Sequence, residues 1–98
     1  MAGLQPAPAD QMAELGRRFD QAVDRLLAMV ALVDVDLDEL NVMLWQVMRG
    51  VAADFADELV VRRHQTPPPR AAVVQSVMER VAAAMDRRDA MLNSGGRA

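Results

Sequence analysis

Cysteine, lysine and tyrosine are all missing from this 98-residue chain. Without cysteine there is no disulfide, no thiolate-bound metal and no cysteine nucleophile. A single histidine, His64, excludes any centre that needs two or more imidazoles. Phe19, Trp45 and Phe55 are the only aromatic residues. No apolar run approaches the ~18–20 residues of a membrane-spanning helix. Every basic residue is arginine, which reads first as a coding bias rather than as selection for the bidentate guanidinium.

What is present has the balance of a folded protein. Hydrophobic residues make up 52% and charged residues 26%, too apolar a mixture for a disordered chain. The length suits one small domain or one subunit of something larger. A net charge of −3 disfavours a protein whose main work is to neutralise nucleic-acid phosphates. The opening MAGLQPAPAD lacks the basic start and apolar core of a signal peptide, so a cytoplasmic location is expected. One small core without disulfide or metal gives modest stability, which chains of this size often supplement by oligomerising.

Met12, Leu15, Phe19, Ala22, Leu26, Met29 and Val33 recur at alternating steps of three and four, an a/d seam. Glu14, Arg17, Arg18, Gln21, Asp24 and Arg25 occupy the other face, with Glu14 and Arg18 as an i,i+4 pair. Gly16 lowers helix propensity there without breaking the period. Asp36 and Glu39 have capping-box spacing, and Val35 and Leu40 could staple the same start, so a second helix begins near 36. Its stripe is Leu37, Leu40, Leu44, Val47, Val51, Phe55 and Leu59, with Met48 beside it. Arg62, Arg63 and His64 suit a helix C-terminus. Pro67, Pro68 and Pro69 then stop the helix, with Thr66 as a candidate cap for the next one. The third helix carries Val73, Val74, Val77, Met78, Val81, Ala84, Met85, Met91 and Leu92 on one broad face. Arg88 is expected to snorkel from that face, and Asn93-Ser94-Gly95-Gly96 to end the helix.

The expected fold is therefore all-α. Long amphipathic helices at about 10–33, 36–64 and 69–92 form an elongated antiparallel bundle, completed by dimerisation. Residues 1–9 would be a flexible lead, 10–93 one helical domain, and 94–98 a flexible tail.

Five sets of residues invite a functional reading. Val42, Met43 and Trp45 fall outside the main stripe of the second helix, and Leu32 points away from the first seam. With Met48 these are the expected partner-interface anchors, because tryptophan and methionine are favoured where proteins meet. Trp45 shares its flank with Ala52 and Ala56. Asp34, Asp36, Asp38 and Glu39 resemble the start of a calcium loop. That loop needs glycine at its sixth place and glutamate at its twelfth, where Glu39 and Trp45 stand. Capping and solvation of a helix start is the simpler reading. Arg62, Arg63 and Arg70 around the prolines could contact an anion, but no aromatic platform accompanies them. Arg80, Arg87 and Arg88 mixed with Glu79, Asp86 and Asp89 read as a solvated face. His64 has no nucleophile motif to serve.

The stretch FDQAVDRLLAMVA resembles the apolar heptads in the first helix of the all-helical chorismate mutases. That resemblance would imply a small helical enzyme with arginines before and after the stretch and a lysine further on. With the Leu26-Leu27 pair aligned, those flanking places are Gly16 and Val33, and the chain has no lysine. The expected function is a non-catalytic helical protein–protein interaction module without cofactor or metal. Its partner would be a second copy, as a homodimer, or another protein. Small DNA-binding regulator is the alternative, although the helices are long and none has a one-sided basic face.

Overall fold

The computed structural model describes residues 8–95, with side chains over 10–91. Helix α1 spans Pro8–Val30, α2 spans Leu37–Asp57 and continues into a wide π turn at Glu58–Arg62, and α3 spans Arg70–Gly95. No strand occurs among the described residues. The expected lead at 1–9 and tail at 94–98 lie largely outside the described residues. Within them, α1 already includes residues 8 and 9, and α3 continues to Gly95.

Cross-helix pairs fix the topology. Glu14 meets Arg63 while Arg18 meets Glu58, so α1 and α2 run antiparallel. Asp20 meets Arg80 while Asp24 meets Arg87, so α1 and α3 run parallel. The result is an elongated up-down-up bundle of 61 × 19 × 19 Å. Its axis is filled by Leu15, Phe19, Leu26, Leu40, Leu44, Met48, Phe55, Leu59, Val77 and Val81, among others. Each such side chain contributes ~1.5–3 kcal/mol on leaving water.

The start of α2 follows its sequence signals. The Asp36 carboxylate accepts the Glu39 amide at 2.8 Å, and Val35 and Leu40 join the same core cluster. Other details depart from expectation. Helix α1 ends at Val30, so Val33 lies in the connection and Met29 is exposed, neither belonging to a buried seam. Val23, Leu27 and Val30 are buried instead, the drift that a 3.6-residue helix shows against a strict heptad. In α2 the buried face is centred nearer Met48 than Val47 or Val51, which are only half-buried. Thr66 does not cap α3. Its carbonyl accepts from Gln11 Nε2 at 3.0 Å, and the Pro69 carbonyl receives the Ala72 and Val73 amides of the first α3 turn. Arg88 does not snorkel to water but is 6% exposed, with its Nε unpartnered among the described residues.

Two of the three seams between helices are closed by arginine. On the α1–α3 seam, Arg80 lies across Gly16, donates to Asp20 at 3.0 Å and to Ser76 Oγ at 2.6 Å, and reaches the Phe19 ring. A Cβ at position 16 would sit 2.5 Å from the Arg80 guanidinium. Gly16 is therefore a place for the strap and not merely a weak helix former. On the α1–α2 seam, Arg18 and Arg63 share Glu14 and Glu58 at 2.8–3.0 Å, with Arg18 also 4.8 Å from the centroid of Phe55. Charges expected on solvated faces thus bridge helices. Hydrogen bonding from Arg63 and the nearby positive charges outweigh partial burial and hold the Glu14 carboxyl below its usual range.

The Gly16–Arg80 contact predicts coupling in a double-mutant cycle. Gly16→Ala should stabilise an Arg80→Ala background by about 1 kcal/mol, the propensity difference. It should gain clearly less with Arg80 present, as read from urea unfolding. Additive effects would contradict the strap. A second prediction concerns acid. A carboxyl lowered by folding stabilises when ionised, so its contribution is present above the ordinary value of 4.5 and fades as pH falls below it. Glu14→Gln should flatten the loss of melting temperature between neutral pH and about pH 3. An unchanged slope would show that the cluster contributes nothing.

Candidate functional site

The third seam, between α2 and α3, has no arginine across it. No side-chain hydrogen bond or ion pair joins these two helices among the described residues. A groove of about 480 Å³ runs there instead. Trp45, Ala52, Ala53 and Ala56 of α2 form one side, and Val73, Val74 and Val77 of α3 form the other. Met48 and Phe55 lie at its base, and Pro67 and Pro68 stand at one end. Arg49 and Arg70 are the only charged residues in the lining. Met78 follows Val74 by one helical turn and is 52% exposed, extending the apolar flank. A second hollow, on the α1–α2 seam, is smaller and polar, with Arg18, Arg25 and Asp54 around it.

The geometry has a local cause. A bundle of three helices hides only the side of each that faces the others, while the apolar face of α3 is broader than that. Val77, Val81 and Ala84 are buried, whereas Val74 and Met78 are pushed to the flank. On α2 the indole is followed along the same flank by alanines, which cannot fill the space beside it.

The anchors expected from sequence are not brought together as a set. Met48 is 0% exposed and belongs to the core, where it forms part of the groove's base rather than a projecting anchor. Trp45 is 38% exposed and forms a groove wall. Val42 is 54% exposed but does not line the groove, and Met43 is partly buried against the core. Leu32, 86% exposed, lies in the α1–α2 connection. The arginines separate as well. Arg63 is engaged with Glu14 and Glu58, Arg62 is exposed on the π turn, and Arg70 enters the groove lining. Sequence reasoning found the Trp45–Ala52–Ala56 flank but missed its opposite wall. Val73, Val74 and Val77 all belong to the broad apolar face of the third helix, whose pattern does not separate the part a neighbour covers from the part left open.

The described residues contain no group of three or more metal-ligating side chains. Asp36 is committed to its cap. No described helix is long and apolar enough to cross a membrane.

Burial separates Met48 from Leu32. Met48→Ala should cost about 2–5 kcal/mol, the range for truncating a buried methionine. Leu32→Ala should stay within about 0.5 kcal/mol, as exposed substitutions do. Equal effects in chemical denaturation would contradict the assigned core. Comparison with known proteins adds no assignment: no protein family, curated protein or solved structure matches the chain.

Proposed function

We propose that this protein is a non-catalytic helical interaction module that docks a protein partner in the α2–α3 groove. Accessory subunit, adaptor, chaperone and inhibitor are all roles of this kind. The observation that carries the reading is the open seam itself. It leaves an indole and a valine partly in water, with the exposed Met78 continuing the α3 flank beyond the lining, on a chain of only 98 residues. Tryptophan and methionine are preferred at protein interfaces, and a few such anchors supply most of the binding energy. The alanine run lets a partner backbone approach closely. The lining offers no histidine, carboxylate or hydroxyl to act as base, acid or nucleophile, which favours binding over catalysis.

The occupant is a second copy or a different protein, and one pair of measurements addresses both. In a Trp45→Ala, Met78→Glu variant, helicity by circular dichroism should be nearly unchanged. Self-association by light scattering, or capture of partner protein from a native lysate, should fall about tenfold, the scale of losing a hot-spot anchor. Unchanged solution mass together with unchanged capture would refute the docking reading.

A further inference from the structure

Charge and shape in the groove narrow its occupant. From Trp45 to Ala56 the α2 wall rises ~16 Å at 1.5 Å per residue, about three helical turns. The wall is uneven, with the indole towards one end and Ala52, Ala53 and Ala56 towards the other. An amphipathic helix is read by such a groove through anchors spaced one and two turns apart. Its bulkier side chains would lie over the alanines and its smaller ones beside the indole. Both charged lining residues, Arg49 and Arg70, are exposed cations, and neither forms an ion pair among the described residues. The arginines of the other seams, Arg18, Arg63 and Arg80, each have a carboxylate from a neighbouring helix.

We infer that the occupant is an amphipathic helix of another protein, about three to four turns long, with carboxylates flanking its apolar stripe to meet Arg49 and Arg70. The inference rests on the docking reading above and adds the partner's chemistry to it. A second copy is the poorer fit. In a two-fold interface the same patch faces itself, and this lining holds no carboxylate to receive the two arginines.

The test uses the full chain and synthetic capped peptides of about 14 residues. All lack tryptophan, so Trp45 reports alone. One peptide has a leucine stripe flanked by glutamates. A second has lysines in place of the glutamates. A third is the acidic peptide with a central proline. The acidic peptide should shift Trp45 fluorescence and bind about tenfold tighter than the basic one at low salt, the scale of two rim ion pairs. Added salt should shrink that preference, Arg49→Glu with Arg70→Glu should reverse it, and the proline should abolish binding. Equal or tighter binding of the basic peptide, or an unchanged preference in the charge-reversed variant, overturns the acidic partner but leaves helix docking standing. Equal binding of the proline peptide overturns the helical occupant. A peptide-free dimer by light scattering, with Trp45 already shielded, assigns the groove to a second copy and overturns the inference. Failure of every peptide to move Trp45 fluorescence in a monomeric chain refutes the docking reading itself.

Discussion

A bundle of three helices can bury only what its helices turn towards one another, and each pair of helices leaves an outer seam that something must cover. In this protein the coverings differ. Arg80 lies across α1 and α3, seated on Gly16 and held by Asp20 and Ser76. Arg18 and Arg63 cover the meeting of α1 and α2, held by Glu14 and Glu58. Between α2 and α3 the groove stays open. Arginine is suited to closing a seam because its methylene stem shields apolar surface while its guanidinium remains hydrogen-bonded. Phe19 and Phe55, the largest fully buried side chains, each lie under one of these covers.

That asymmetry gives the charges a structural meaning that net charge conceals. Exposed ion pairs are individually worth little, about 0.2–1 kcal/mol. Here four converge on two carboxylates, and Arg18 among them lies over the Phe55 ring, so their role is as much to exclude water from a seam as to attract. Arg49 and Arg70 have the same stem and head group at the uncovered seam, yet no carboxylate of the chain is paired with them among the described residues. The contrast between arginines held within the molecule and arginines left at a groove is what gives the open seam its proposed preference for an acidic partner.

Much of the fold was legible in the sequence because its causes are local. Apolar periodicity placed the three helices, Asp36 and Glu39 marked the start of α2, and three consecutive prolines marked its end. The π turn was not legible. It replaces the last regular turn of α2, and no residue type from Glu58 to Arg62 demands it. Nor was the role of Gly16, since a missing side chain shows its purpose only once Arg80 is seen above it. The helices' rotation was the costliest omission. A shift of one residue in the buried centre of α2 takes Met48 from anchor to core, and the same ambiguity in α3 leaves Val74 and Met78 outside. Periodicity gives the width of an apolar face. How much of that face a neighbour covers depends on where three faces meet, which no single helix encodes.

The end of the groove is held by several independent ties. Pro67 and Pro68, its end wall, follow a tightly determined exit from α2. His64 takes a left-handed conformation with φ of 54°, a cost few non-glycine residues accept. That reversal lets the Gln65 amide reach the Leu59 carbonyl at 2.8 Å. Two further ties hold the same segment to α1: Gln11 donates to the Thr66 carbonyl, and Arg63 is clamped by Glu14. Prolines also have little backbone freedom left to lose. Under the proposed docking, a wall fixed from both sides need not be ordered on binding, so less of the contact energy is spent on immobilising it. The strained residue, the wide turn and the tie through Gln11 all act on the one stretch of chain that closes the groove. Their convergence there, while the seam itself is left without a strap, is the feature the proposed docking draws on: a groove whose end wall is already in place.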